Sequence, residues 1–184
     1  MLRALLGYYL TRMERDFDYD ASYMHEMLAV SPLTFLKFSV LTRLVPRRAA
    51  PSAAIAAARL VGTLAEDCGP CTQISVEFAS RSGVKPAVLR AILAGDEAAM
   101  GENAALAYRF AKASLARDMQ AADPLRDEIV RSWGQKGLVA LALALTTARM
   151  YPTVKYALGH GKSCSRVMVA GEAAPFHPPL AEAA

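Results

Sequence analysis

Residues 52–81 read SAAIAAARLVGTLAEDCGPCTQISVEFASR, and the interpretation of the chain starts from them. The alanine-rich first half, with apolar residues spaced for one face, predicts a helix from Ser52 to Leu64. Pro70 cannot donate a backbone hydrogen bond inside a continuous helix, but proline is tolerated in a first turn. We therefore predict a kink and then a second helix over 70–81, with Cys68 or the residue before it at its cap.

The two cysteines of this stretch, Cys68 and Cys71, flank the start of the second helix. Cysteines separated by two residues can close a small disulfide with little backbone movement. A helix N-terminus also stabilises a thiolate through its free N–H groups and its dipole. The alternative is that both are plain core residues, since cysteine often packs as a small hydrophobe. Because the Gly-Pro between them interrupts a helical run, we predict a redox-active dithiol.

The composition favours a helical protein. With 184 residues the chain can bury a core without structural disulfides, and it is rich in alanine and leucine but poor in β-branched runs. We predict an all-α fold in three parts: an N-terminal helical extension over 1–50, a helical domain with the dithiol over 51–170, and a disordered tail over 171–184.

Caps, prolines and glycines predict the boundaries of the other helices. The pair Ser31-Pro32 can cap and begin a helix over 33–45. In the second half of the chain we predict helices over 102–120, over 124–133 after an Asp123-Pro124 cap, and over 138–149, with a break at Pro152. The helix over 138–149 is apolar nearly all round, which is typical of the central helix of a bundle.

Charge and hydropathy indicate which partners and which location to expect for the protein. The net charge is +4 at pH 7, but the basic residues are scattered, so no nucleic-acid partner is expected. No apolar stretch reaches the about 20 residues that span a membrane, and no signal peptide is evident at the N-terminus, so we expect a cytoplasmic protein with no membrane partner. Three cysteines with one C-x-x-C pair suit catalytic chemistry in a reducing compartment.

The chain resembles the alkyl hydroperoxidase D-like or carboxymuconolactone decarboxylase superfamily from about residue 53 to 160. The resemblance rests on the helix leading into Cys68-Gly-Pro-Cys71 and on three later segments: ASRSGV at 79–84, ENAALAY at 102–108 and GLVALA at 137–142. It implies an alkyl hydroperoxidase D-like helical bundle for the domain over 51–170. It also implies symmetric homo-oligomers with the dithiol near a subunit interface.

The dithiol points to the peroxidase-like branch of that superfamily. There the later cysteine is peroxidatic and the earlier one resolving, which corresponds to Cys71 and Cys68. The resemblance therefore implies a thiol-dependent antioxidant or disulfide oxidoreductase that takes a peroxide or disulfide substrate and an external dithiol electron donor. No cofactor is expected.

Two positions depart from the peroxidase pattern. The family's histidine, four residues after the second cysteine, is Ser75 here, and its glutamate, about twelve residues before the first, is Ala56. We expect His160 to act as the base if its glycine-rich segment folds back over the dithiol, and we name Glu66 as a further catalytic candidate. Cys164, in the same segment as His160, is then an extra redox partner.

Other uses of these residues stay open. Cys68, Cys71, His160 and Cys164 together have ligand spacing that zinc can accept. The fold can also serve as a non-enzymatic, oligomeric redox-sensing or binding protein that has lost turnover. A decarboxylase-like enzyme acting on a small organic acid is the third alternative, and its cationic pocket would come from arginines such as Arg59, Arg81 or Arg149.

Overall fold

The protein is described here by a computed structural model that covers residues 2–161 and 167–175, and it confirms the predicted helical class. Within those residues, eight α-helices and two short strands follow one another along the chain. They are α1 (Leu2–Phe17), α2 (Ser22–Val30), α3 (Pro32–Val40), α4 (Ser52–Leu64), α5 (Gly69–Arg81), α6 (Pro86–Ala94), α7 (Glu102–Ala116), α8 (Met119–Ala157), β1 (Val167–Val169) and β2 (Glu172–Ala174). A short 3₁₀ helix, Leu41–Leu44, follows α3.

Helix α4 is the centre of the main core, where it packs against both α7 and α8. From residue 54 to residue 64 only Arg59 is not fully buried. The many alanines, and Gly62 in particular, allow neighbouring helices to approach closely: a Cβ added to Gly62 would lie 2.7 Å from the carbonyl oxygen of Leu145 in α8. The helix that leads into the dithiol is therefore held from two sides.

Helices α1 to α3 form a second, smaller core of their own. Leu10, Tyr23 and Phe35 are fully buried there. Ile74 of α5 and Tyr151 of α8 pack against the same cluster. The N-terminal extension thus lies against the helix that follows the dithiol.

Several predicted helix boundaries are confirmed. Helix α4 has the predicted bounds, and α5 begins one residue before Pro70 with Cys68 as its N-cap. Helix α3 begins at Pro32, and the Ser31 side chain accepts a hydrogen bond from the Thr34 N–H at 3.4 Å. These boundaries depend on local caps, which sequence patterns describe well. The end of α3 was predicted wrongly, since the α-helix stops at Val40 and the chain continues to Leu44 as a 3₁₀ helix.

Other boundaries were predicted wrongly. Helix α7 ends at Ala116, before the predicted 120, because Arg117 takes up a left-handed conformation with φ of 58°. The next helix is capped by Asp118 and not by Asp123: the Asp118 carboxylate accepts the Ala121 N–H at 3.0 Å.

The helices predicted over 124–133 and 138–149 belong to one long element, α8, which is kinked at Gly134 where φ is 68°. Pro152 does not end this helix, which continues to Ala157. Side chains also hold the turn around Pro152: Arg149 forms an ion pair with Glu66, and the Thr153 hydroxyl shares its one hydrogen between the Arg149 carbonyl, at 2.7 Å, and the Glu66 carboxylate, at 3.3 Å. Tertiary contacts override the local break here.

Helix α8 is also the one described helix that is long and apolar enough, by length and composition, to cross a membrane. Its best 18-residue window has a mean hydropathy of 1.3, and 44% of that window is buried inside the protein. A helix buried in a protein core has the same composition, so this is weak evidence for a membrane span.

A small antiparallel hairpin was not predicted. Strand β1 pairs with β2, joined through Ala170 and Gly171, which both have positive φ as a tight hairpin turn requires. Gln73 of α5 holds β1 by bonding both the N–H and the carbonyl of Met168, at 2.6 and 3.2 Å. Strand β2 lies within the stretch predicted as a disordered tail. It pairs with β1 close by in the sequence, but Arg90 of α6 also holds it, by an ion pair with Glu172 at 2.7 Å across 82 positions. Residues 176–184 of that tail lie outside the described residues.

Candidate functional site

The dithiol lies where α4 gives way to α5. After Leu64 the chain turns through Asp67, whose φ of 48° is left-handed, and Cys68 is extended with φ of −109° and ψ of 92°. The Sγ of Cys68 then accepts the N–H of Cys71 at 3.4 Å, so Cys68 is the N-cap of α5. Pro70, within the first turn, leaves no broken backbone bond. This local geometry matches the predicted helix-start dithiol.

Cys68 and Cys71 form a disulfide, with their Cα atoms 5.3 Å apart. That separation is within the usual range for a disulfide. Both residues are buried, each with 2% of its surface exposed. Because the pair closes at the N-terminus of α5, a thiolate formed by reduction would meet free backbone N–H groups and the positive end of the helix dipole.

Cys71 lies on the wall of a cavity of about 120 Å³ between the N-terminal extension and the bundle. Apolar side chains form much of this wall, among them Leu10, Met24, Phe35 and Ile74. Cys68 is not among the lining residues. The cavity therefore gives an apolar group access to one sulfur of the disulfide, that of Cys71.

Two tyrosines of the extension complete this cavity. The hydroxyl of Tyr19 lies 3.9 Å from Cys71 Sγ and 3.2 Å from the hydroxyl of Tyr23. A disulfide sulfur carries no hydrogen, so Tyr19 donates to Cys71 and Tyr23 donates to Tyr19. Burial raises the pKa of Tyr19 from 10.0 to about 12, and it raises the pKa of Tyr23 further. Both phenols are therefore protonated at neutral pH.

A buried lysine stands beside the tyrosines. Lys155 of α8 has 3% of its surface exposed, and its Nζ lies 5.9 Å from the centre of the Tyr19 ring. Asp20 is nearby: hydrogen bonds from the Ser22 side chain and backbone lower the pKa of Asp20, and the neighbouring Lys155 and His160 side chains lower it further. The extension thus brings a carboxylate, and the bundle a cation, close to Tyr19.

Glu66 lies in the turn before the dithiol, and its carboxylate bonds to side chains of α8 and not to the cysteines. Arg149 donates to its carboxylate at 2.6 Å and Thr153 donates to it at 3.3 Å. The hydroxyl of Tyr156 donates to the carbonyl of Asp67 at 2.9 Å in the same turn. These bonds tie the entrance of α5 to the last turns of α8.

His160 lies beyond the end of α8 and is paired with the extension. Its Nε2 is 2.7 Å from a carboxylate oxygen of Glu26, and its ring centre is 6.4 Å from that of Tyr23. It does not line the cavity, and it does not hydrogen-bond Cys68 or Cys71. Cys164 lies outside the described residues.

The two positions that depart from the peroxidase pattern carry small side chains at the site. Ser75 is buried, one turn after Cys71, and lines the cavity. Ala56 is buried on α4. Within residues 2–161 and 167–175, no three cysteine, histidine or acidic side chains are grouped as a metal site would require.

Sequence reasoning missed Tyr19, Tyr23 and Lys155. The two tyrosines are four residues apart, a spacing that is typical of aromatics packed on one face of a helix. Tyr19, however, lies before α2 begins at Ser22. The contact between Tyr19 and Cys71 joins residues 52 positions apart. No local pattern reports such a contact.

Comparison with known proteins adds no assignment, since no family model, curated protein or solved structure matches this chain.

Proposed function

We propose that this protein is a thiol-dependent oxidoreductase of the alkyl hydroperoxidase D-like type, in which Cys68 and Cys71 reduce an organic hydroperoxide or a disulfide. The observation that carries the proposal is the position of Cys71, whose sulfur faces an apolar cavity and accepts a hydrogen bond from Tyr19. A disulfide needed only for stability would have no use for a cavity at one of its sulfurs.

The reaction with a hydroperoxide begins from the reduced pair. The Cys71 thiolate attacks the outer oxygen of the hydroperoxide, the O–O bond breaks, and the alkoxide that leaves takes up a proton to become an alcohol. Cys71 is then a sulfenic acid. Cys68 attacks its sulfur, water leaves, and the disulfide forms. An external dithiol reduces this disulfide by thiol–disulfide exchange and becomes a disulfide itself.

Tyr19 takes the place of the absent histidine relay in this proposal. With a pKa of about 12 it stays protonated, so it can donate a hydrogen bond to the Cys71 thiolate or to the departing alkoxide. Tyr23, which donates to the Tyr19 oxygen, fixes the direction of the Tyr19 hydroxyl. A phenol is a weaker acid than imidazolium, so the expected turnover is slower than a histidine relay would give.

Glu66 and His160 act in this proposal as positioning residues. Glu66 anchors the turn before Cys68 to Arg149, and His160 anchors the end of α8 to Glu26 of the extension. The proposal also includes a cytoplasmic location, where a reducing environment supplies the dithiol donor, and a homo-oligomeric state. The proposal names two reaction partners, the dithiol donor and the hydroperoxide or disulfide that is reduced.

The identity of the attacking cysteine provides the test. We expect a Cys68→Ser variant, reduced and then treated with cumene hydroperoxide and dimedone, to carry one dimedone adduct on Cys71 by peptide mass spectrometry. A Cys164→Ser variant should still consume hydroperoxide and is the matched control. Absence of an adduct on Cys71, with the variant folded by circular dichroism, would contradict the proposal and favour a sensing or binding role.

A further inference from the structure

A second concave region adjoins the cavity of Cys71 and carries a strong positive charge. This region, the arginine groove, has a volume of about 290 Å³ and is lined by Arg47, Arg59 and Arg81. Three serines also line it, Ser52, Ser75 and Ser82, and no acidic side chain of the described residues does. The groove therefore has the chemistry of an anion site.

None of the three arginines forms an ion pair with a described carboxylate, but they differ in their other contacts. Arg81 is engaged, since it donates to the Asp16 carbonyl at 3.1 Å and lies 4.1 Å from the centre of the Phe17 ring. Among the described residues, no ion pair involves Arg47 or Arg59. An anion bound between Arg47 and Arg59 would accept hydrogen bonds from both guanidinium groups and neutralise part of their charge.

The environment of Arg59 makes such an anion favourable. Arg59 lies in the central helix α4, and its guanidinium carbon is 5.8 Å from the centre of the Phe78 ring. Burial lowers its pKa, and the nearby positive charge of Arg47 lowers it further. A buried cation that faces another cation is costly unless an anion pairs with it. A carboxylate can accept hydrogen bonds from a guanidinium through both of its oxygens.

The arginine groove shares part of its lining with the cavity beside Cys71. Arg59, Ser75 and Phe78 line both of them. The cavity, about 120 Å³, is close in size to the apolar cavity of about 150 Å³ that binds benzene in another protein. It therefore has room for an apolar group of roughly six carbons.

We propose that the arginine groove binds the carboxylate of an organic anion whose apolar part passes Ser75 and Phe78 into the cavity beside Cys71. This inference rests on the proposed function and names its substrate class: a carboxylate-bearing organic hydroperoxide with a short apolar chain. The carboxylate itself takes no part in the reaction. The O–O bond is cleaved at Cys71 as described above, and the product is the corresponding hydroxy acid.

Binding of hexanoate to the oxidised protein, measured by titration calorimetry, tests the site without any turnover. We expect one saturable site, with acetate, hexanol and hexylammonium each binding at least about tenfold more weakly, because each lacks either the chain or the negative charge. Equal binding of hexanol, or of acetate, would overturn the proposal.

Variants locate the site. Arg59→Gln and Arg47→Gln should each weaken hexanoate binding about tenfold or more, as expected for loss of a charged hydrogen bond. Arg131→Gln, which removes an exposed arginine of α8, is the matched control and should bind like the parent. Because Arg59→Gln can disturb folding, Arg47→Gln, at an exposed position, keeps the test decisive. Unchanged binding in a folded Arg47→Gln variant would overturn the proposal.

The failure of this inference can be told apart from the failure of the proposed function. If hexanoate binds as predicted but no hydroperoxide is reduced, the anion site stands as a binding site and both the reaction and the substrate class fail. If cumene hydroperoxide is reduced but hexanoate does not bind, the reaction stands and the substrate class fails.

Discussion

The hydroxyl of Tyr19 lies 3.9 Å from Cys71 Sγ, and this contact joins the N-terminal extension to the dithiol across 52 positions of sequence. Tyr19 is buried, as is Tyr23, which bonds it from the other side. The extension is thus part of the candidate site and does more than cover the bundle. The expected effects of substitutions follow from this arrangement.

Removal of the Tyr19 hydroxyl should slow the reaction at Cys71. In Tyr19→Phe the thiolate and the leaving alkoxide lose a hydrogen-bond donor, and we expect the rate of hydroperoxide reduction to fall about ten- to a hundredfold. The measurement is the single-turnover rate of the reduced protein with cumene hydroperoxide.

Tyr8→Phe is the matched control, since Tyr8 is 68% exposed on α1. It should react at the parent rate. A Tyr19→Phe variant that reacts as fast as Tyr8→Phe would show that Tyr19 is not the donor.

Stability should fall at alkaline pH because of the buried phenols. The pKa of Tyr19 is raised from 10.0 to about 12, so between these values the unfolded chain loses a proton that the folded protein retains. The stabilisation is therefore complete below pH 10 and is lost as the pH rises through about 12, a change on the order of 3 kcal/mol for this one group. Urea unfolding at a series of pH values measures it.

A Tyr19→Phe, Tyr23→Phe double variant provides the comparison for that series. Its free energy of unfolding should decline less than the parent's between pH 9 and pH 11. An equal decline in the two proteins would mean that these phenols are not the groups that titrate.

The close approach of α4 and α8 predicts opposite effects for two glycine substitutions. Gly62→Ala places a Cβ 2.7 Å from the Leu145 carbonyl oxygen, so we expect it to lower the free energy of unfolding by about 1–3 kcal/mol. Gly7→Ala lies within α1, and the added Cβ would meet only Leu28 of α2, at 3.9 Å. It should be neutral or stabilising by up to about 1 kcal/mol. Equal effects in urea unfolding would contradict this packing.

The contact between His160 and the Glu26 carboxylate predicts that removal of the histidine side chain lowers stability. His160→Ala loses the bond to Glu26, so we expect α8 and the extension to be held together less firmly and the melting temperature to fall by a few degrees. The rate of hydroperoxide reduction should stay near that of the parent. A rate that falls with no change in melting temperature would restore His160 as the base.

The parts of the fold that sequence patterns predict are those governed by neighbouring residues. Ser31 and Cys68 were expected at helix caps, and each accepts a backbone N–H there. The ends of α7 and α8 depend instead on tertiary contacts. Pro152, for example, remains inside a helix because Arg149 and Thr153 are fixed by Glu66.

In the candidate site, too, only the features that neighbouring residues determine could be predicted from the sequence. The dithiol and its helix-start position follow from four adjacent residues, Cys68-Gly-Pro-Cys71. Tyr19, Arg59 and Lys155 come together only through packing, because they belong to three different parts of the chain. Nothing in the spacing of these residues along the sequence distinguishes them from ordinary aromatic or charged side chains.

The central claim, that Cys68 and Cys71 are a working dithiol, is tested most directly by counting thiols. In reduced Cys164→Ser protein two thiols remain, of the three cysteines in the sequence. Mixed with one equivalent of cumene hydroperoxide, both should disappear together, with one equivalent of alcohol formed, at a rate about a hundredfold or more above that of free dithiothreitol. Thiols that react no faster than dithiothreitol, in a folded protein, would contradict the account.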